Sequence, residues 1–298
     1  MADPKQITSL QNDRVKTMVR LRAAQERRKL GLTIIEEPLV ISRARDAGIA
    51  FTEIWYCREQ ESSATAALRE LLTAGNVTDP SSAPPSVFEV PSHVMDKISY
   101  REHSEGLLAV ASPPVLELAD LNLSQDNPPL IVVVENLEKP GNLGAVQRIA
   151  DGAGADAVLV CGQGTDLYNP NVLRASRGAC FHIPCLAASE TEIRHFLSRH
   201  EVRILATTPL VNCETAETKP TDNKRTDNNW AEADMTGPVA IILGAEHEGL
   251  SEPWLTNADL RVALPMMGVG DSLNISTTAA ILLYECVRQR TGHGKATR

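Results

Sequence analysis

Three runs in the second half of the chain, Leu130-Ile131-Val132-Val133-Val134, Ala157-Val158-Leu159-Val160 and Val239-Ala240-Ile241-Ile242-Leu243, are apolar at every position. A strand with one wet face alternates, so unbroken, mostly β-branched runs of this length imply strands covered on both faces, as in a parallel sheet. Helical patterns at 143–152, 171–177 and 190–199, and further strand-like runs at 203–207 and 261–264, keep the same rhythm. The expected fold class is α/β, with a mostly parallel sheet sandwiched by helices over residues 130–298. A polar stretch over 212–237, poor in apolar residues, interrupts the pattern and reads as a surface insertion.

The first half alternates on a smaller scale. Strand-like runs at 32–35, 51–56, 87–90 and 106–110 are separated by helical patterns at 39–47, 64–74 and 92–98 and by the Ser/Pro loop 80–86. That predicts a small α/β domain over 31–110. Residues 111–129, bounded by Pro113-Pro114 and Pro128-Pro129, read as a linker. Ahead of the small domain, residues 1–30 carry eight basic residues against three acidic ones, in a chain whose formal net charge is −9. Val15, Met18, Val19 and Leu21 fall at roughly helical spacing, so 14–30 is expected to be one amphipathic helix. Its basic side fits two readings, a solvated face or a phosphate-contacting arm that uses Arg14, Lys16 and Arg20.

No apolar run reaches the ~18 residues of a membrane span, and the Met-Ala-Asp-Pro-Lys start lacks a secretory pattern, so a cytoplasmic protein is expected. The six cysteines form no C-x-x-C pair and no Cys/His cluster at zinc spacing, which predicts neither disulfides nor a structural metal; Cys161 and Cys286 read as core residues.

Three junctions after strands carry the polar chemistry. In Pro140-Gly141-Asn142-Leu143-Gly144-Ala145-Val146-Gln147-Arg148, Asn142 is either a helix cap or, with Arg148, a group turned toward a phosphate or ribose. In Leu243-Gly244-Ala245-Glu246-His247-Glu248-Gly249-Leu250-Ser251, a glycine and a carboxylate follow a buried strand, where open α/β sheets bind ligands; Gly244 would admit a ligand close to the backbone. His247, flanked by two glutamates, fits a solvated loop residue better than a catalyst. In Leu264-Pro265-Met266-Met267-Gly268-Val269-Gly270-Asp271-Ser272-Leu273-Asn274-Ile275-Ser276, the leucines and Met266 could wall a purine slot, while Ser272, Asn274 and Ser276 could simply cap the helix that follows. No G-x-G-x-x-G follows a strand and no G-x-x-x-x-G-K-[ST] is present, which weakens dinucleotide-oxidoreductase and P-loop readings.

Together the three junctions, with Arg174-Ala175-Ser176-x-Gly178-Ala179 between them, resemble the SpoU/TrmH family of S-adenosylmethionine-dependent RNA ribose 2′-O-methyltransferases of the SPOUT class. Ile7-Thr8-Ser9-Leu10-Gln11-Asn12 and Ile34-Ile35-Glu36 resemble the ribosomal-protein-like substrate-binding domain that many such enzymes carry. The resemblance implies a trefoil-knotted sheet, a homodimer, and RNA, most readily ribosomal RNA, as substrate. It places S-adenosylmethionine on Leu243, Gly244, Leu264, Met266, Ser272 and Leu273, and catalysis or its support on Asn142, Arg148, Glu246, Ser272 and Asn274, with Arg148 acting from the partner subunit. Arg174 and Arg177 join Arg14, Lys16 and Arg20 as expected RNA contacts. The alternatives are a transfer-RNA 2′-O-methyltransferase, a non-catalytic RNA-binding module of the same fold, or a small-molecule transferase using the same cleft.

Overall fold

The computed structural model describes residues 4–73, 84–101, 104–123, 127–163, 166–208, 227–245, 249–270 and 272–292. Of the residues singled out above, Glu246, His247, Glu248 and Asp271 lie outside these, as do 212–226 of the polar stretch, Cys213 among them.

The chain forms two compact units, Met1–Val115 with Tyr168–His182, and Leu116–Leu167 with Ile183–Arg298. The first contains β1 (Lys5–Gln6), α1 (Asp13–Arg20), α2 (Ala24–Leu30), β2 (Thr33–Ile35), α3 (Pro38–Asp46), β3 (Phe51–Tyr56), α4 (Ser63–Thr73), β4 (Ser86–Glu89), α5 (Ser92–Ile98) and β5 (Leu107–Ala111). Its mixed sheet runs β1-β4-β3-β5-β2. The second unit contains β6 (Leu130–Glu135), α6 (Pro140–Gly152) and β7 (Ala157–Cys161). The chain then gives α7 (Pro170–Ser176) to the first unit and returns with β8 (Cys185–Ala187), α8 (Glu190–Arg199), β9 (Arg203–Thr207), β10 (Asp227–Asn229), β11 (Val239–Leu243), α9 (Glu252–Asn257), β12 (Leu260–Ala263) and α10 (Ile275–Gly292).

The seven strands of the second unit lie in the order β10-β12-β9-β11-β6-β7-β8, and every pairing is parallel. β6, β7 and β11 are buried along their whole lengths, as unbroken apolar runs require. From β6 the chain steps outward to β7 and β8, then crosses to the other side, so the order reverses between β6 and β11. In open parallel sheets the carboxyl ends flanking such a reversal form the ligand crevice.

The front of the chain differs from the separate basic arm expected. The 14–30 helix is two helices, broken at Leu21-Arg22-Ala23 with Ala23 extended (ψ 131°). The cause is Arg27: its side chain is buried, and its guanidinium donates to the carbonyls of Leu21 (2.8 Å) and Arg22 (2.7 Å), acceptors that a continuous helix would have consumed. Val15, Met18 and Leu21 pack with Ile7, Trp55, Phe88 and Met95 in the core of the first unit, while β1 extends its sheet beside β4. The front 30 residues are thus a piece of that unit.

Two other boundaries move. Leu116, Leu118, Leu121 and Leu123, inside the expected linker, pack on the core of the second unit beside Trp254 and Phe196. Within the expected insertion, Asp227–Asn229 pair with Arg261–Ala263 as an edge strand, and Met235 is buried. Cys57, Cys161, Cys180, Cys185 and Cys286 are buried free thiols; burial pushes Cys161 and Cys180 up to about 12 and Cys286 to about 11, which keeps them protonated at neutral pH. No helix among the described residues is long and apolar enough to cross a membrane.

Deletion of residues 1–30 should therefore unfold the first unit, and Met18→Ala alone should cost about 2–5 kcal/mol in urea denaturation. Wild-type melting of the deletion protein would return this segment to a peripheral role.

Candidate functional site

The polar junctions singled out from the sequence follow the carboxyl ends of β6, β11 and β12, two of which flank the reversal of strand order. After β6 the chain turns through Asn136, which holds a left-handed backbone (φ 53°) that asparagine tolerates better than most residues. The Asn136 side-chain oxygen accepts the backbone N–H of Gln163 (2.9 Å), tying this turn to the end of β7. Lys139 caps α6, and Pro140 occupies its first turn, where a missing N–H costs nothing. Leu143, Gly144, Val146, Gln147 and Ala150 face inward at helical spacing and α6 packs against α10.

Asn142 therefore stands in the first turn of α6, inside the helix and past its cap. Its Oδ1 accepts from Nδ2 of Asn274 (3.2 Å), which joins the junction after β6 to the one after β12. Asn274 is itself committed: its Oδ1 accepts from the backbone N–H (2.9 Å) and the hydroxyl (2.7 Å) of Ser276, capping α10. The cap and the site are one arrangement. Because Asn142 Oδ1 is the acceptor, any group that meets its Nδ2 must accept a hydrogen bond, as a phosphate or ribose oxygen does.

Arg148 is not brought together with Asn142. Six residues on, it lies about 120° around the helix and about 9 Å along it. The two side chains leave the helix in different directions, and the Arg148 side chain stands exposed.

The junction after β11 is shaped by its own chain. Ala245 and Gly249 form an isolated bridge, with the Gly249 N–H bonded to the Ala245 carbonyl at 3.1 Å. A Cβ on Gly244 would lie 2.4 Å from the Gly249 carbonyl carbon. Gly244 is thus required by the close return of its own loop, where the sequence reading had placed the approach of a ligand. That return is pinned by a residue the sequence reading passed over. Glu135, the last residue of β6, is buried and accepts both the backbone N–H (2.8 Å) and the hydroxyl (2.7 Å) of Ser251. A carboxylate closing an otherwise unbroken apolar strand was the available signal, since a buried charge must be satisfied by something.

Leu243 is buried, and Gly244, Leu264, Met266 and Leu273 are partly buried, whereas Ser272 is exposed. The Met266 methyl packs toward Gly270, and beyond it Met267 and Val269 are fully exposed. The peptide groups of residues 266–270 make no hydrogen bond within the described protein. Apolar side chains beside open peptide groups are what an adenine-bearing cofactor needs, a wall for its ring and polar partners for its edge. Arg174 and Arg177 belong to the first unit with Arg14, Lys16 and Arg20. No group of three or more His, Cys, Asp or Glu among the described residues is placed to hold a metal.

Gly244→Ala should weaken S-adenosylmethionine binding at least tenfold, because the methyl group must displace the 245–249 return. Glu135→Ala and Ser251→Ala should each do so to a lesser degree, with a coupling of about 1–3 kcal/mol in the double mutant's thermal stability. Calorimetry of cofactor binding with melting curves checks both, and additive effects of Glu135 and Ser251 would show that their bond does not hold the loop.

A family model for the SpoU rRNA Methylase family matches residues 129–284, and one for the MRM3-like substrate binding domain matches 12–109. The chain is similar, at 33% identity over 208 residues, to the 23S rRNA (uridine(2479)-2'-O)-methyltransferase of Streptomyces viridochromogenes, a match covering 70% of this chain and 68% of that one. A crystal structure of an RNA 2'-O ribose methyltransferase aligns with a TM-score of 0.75 at 38% identity, covering 96% of this chain and 99% of the other. The AdoMet-bound rRNA methyltransferase from Sinorhizobium meliloti aligns at 0.77 and 25% identity, covering 95% and 97%. With more than half of its length matched in order by the family model, and with its site loops at the carboxyl ends of a parallel sheet, the chain belongs to the SpoU rRNA Methylase family.

Proposed function

We propose that this chain transfers a methyl group from S-adenosylmethionine to a ribose 2′-hydroxyl of ribosomal RNA, as a cytoplasmic homodimer. The observation that carries the reading is the Asn274–Asn142 bond, which joins the junctions after β12 and β6, beside β11, at the reversal of a fully parallel sheet. The names of the relatives, each a methyltransferase acting on RNA, supply the substrate class. The insertion of β11 between β9 and β6 supports the knotted path that the family resemblance implies.

Leu243, Leu264, Met266 and Leu273 would wall the cofactor, and the open peptide groups of 266–270 would meet its polar edges. The bound cofactor supplies an electrophilic methyl on a sulfonium. The protein's own task is to hold the ribose oxygen in line and to favour loss of its proton. Asn142, fixed by Asn274, donates to an oxygen of the target nucleotide and orients it. A guanidinium is a donor with no acceptor and suits phosphate binding better than base catalysis; Arg148 holds a phosphate and stabilises negative charge developing on the 2′-oxygen. In the arrangement that the family resemblance implies, it serves the site of the partner subunit. Exposure of Met267 and Val269 supports a loop covered by cofactor or partner when the dimer is loaded. Glu246 completes the expected catalytic set and lies outside the described residues.

Incubation with labelled S-adenosylmethionine and unmodified 23S rRNA, followed by nuclease digestion and mass analysis, should give a 2′-O-methylated nucleoside. Label on a base, or on transfer RNA alone, would overturn the assignment. Arg148→Ala should lower kcat about 100-fold or more while S-adenosylmethionine affinity stays within about twofold. A matching loss of cofactor affinity would overturn the role given to Arg148. Mixed dimers of Arg148→Ala and Asn142→Ala chains should recover activity at one of their two sites.

A further inference from the structure

Positive charge on the first unit is of two kinds. The front-end cations expected to contact RNA already have carboxylate partners: Arg14 pairs with Glu53 and covers the Phe88 ring at 4.9 Å, Lys16 pairs with Asp13 at 3.3 Å, and Arg20 lies 3.9 Å from Glu26. A cation paired within its own protein contributes little to the field that a distant phosphate feels.

Elsewhere in the same unit α3 and the 168–182 segment bring three other arginines together. Arg43 Nη1 donates to the backbone carbonyl of Arg177 at 2.7 Å. Arg177 ends α7 in a left-handed conformation (φ 52°), its N–H bonded to the Arg174 carbonyl at 2.9 Å. Gly178 follows at φ 83°, packed so closely on α3 that a Cβ there would lie 3.1 Å from the Arg43 Cβ. The side chains of Arg43, Arg174 and Arg177 are exposed, and none forms an ion pair among the described residues. Arg174 also borders a cleft with the Tyr100 ring and the Asn171 amide. The 168–182 segment lies within the region matched by the methyltransferase family, yet folds with the unit matched by the substrate-binding family.

We propose that Arg43, Arg174 and Arg177 form the phosphate-gripping surface of the substrate-binding unit, contacting successive phosphodiesters of the RNA target. The inference rests on the RNA reading above and relocates the contact expected at the front of the chain. Guanidinium forks match phosphate oxygens two at a time, and a strand of RNA supplies one such anion per nucleotide. Tyr100, which lines the same cleft as Arg174, is an aromatic side chain of the kind on which an unpaired base stacks.

The test is binding of the full-length protein to an unmodified 23S rRNA transcript over a range of salt concentrations. The Arg43→Gln/Arg174→Gln/Arg177→Gln variant should weaken binding about 10- to 100-fold at low salt and flatten the plot of log Kd against log salt by about 2–3, one for each lost phosphate contact. The corresponding Lys variant should restore most of the slope, and affinity for S-adenosylmethionine should not move. Arg174→Gln alone, which removes no side-chain bond to the described protein, should lower the slope by about 1 and serves if the triple variant does not fold. An Arg14→Gln/Lys16→Gln/Arg20→Gln variant should change the slope less. An active enzyme whose slope is unchanged in the Arg43/Arg174/Arg177 variant, or changes more in the front-end variant, overturns this surface and leaves the methyl-transfer reading intact. A wild-type protein that neither binds nor methylates ribosomal RNA overturns the RNA reading and the surface with it.

Discussion

The second unit turns on a buried carboxylate. β6 lies between β11 and β7 with every residue covered, so the first ionisable group at its carboxyl end, Glu135, is also out of water. Leaving that group without partners would cost several kcal/mol, and the chain meets the demand by bringing back Ser251, 116 residues on, to donate through both its amide and its hydroxyl. Once Ser251 is fixed there, the loop leaving β11 must return within a few residues, and this is why Gly244 has no room for a Cβ. A single satisfied charge thereby sets the path of the loop that, in the proposed enzyme, borders the cofactor.

What the sequence made legible follows from the same physics. Unbroken apolar runs report burial on both faces directly, so β6, β7 and β11 lie where those runs predict them. Capping is local and also legible: the Asn274–Ser276 arrangement is written within three residues. Interactions between distant residues left fainter marks. Nothing near Arg27 announces that its guanidinium will be buried against the Leu21 and Arg22 carbonyls and split a helix, because basic residues on an amphipathic pattern read as solvated. Nor does periodicity reveal that α7 leaves the sheet whose strands flank it and folds with the other unit. The functional and capping readings of Asn274 looked like alternatives in the sequence, but capping does not exclude function, since the oxygen that caps α10 leaves the amide nitrogen to hold Asn142.

Charge shows why composition alone is a poor guide to a nucleic-acid partner. The net charge of −9 argues against a protein that coats RNA indiscriminately, and the basic front end argues for a local contact there. The structure separates cations by whether they already have a carboxylate. Arg14, Lys16 and Arg20, the front-end residues expected to contact RNA, do. Arg43, Arg174 and Arg177 have none among the described residues, although in sequence they are spread over more than a hundred residues. Potential at a surface depends on the second class.

The position of Arg148 bears on assembly in the same way. Asn142 is bonded to Asn274, and an α-helix advances about 100° per residue, so Arg148 leaves α6 about 120° around the axis from Asn142 and about 9 Å along it. The proposed homodimer would let both act on one nucleotide from different copies of the chain. Two-fold pairing makes that economical, because an isologous interface that carries Arg148 to the partner's Asn142 carries the partner's arginine back. In the proposed homodimer each site would then draw its asparagine from one chain and its arginine from the other.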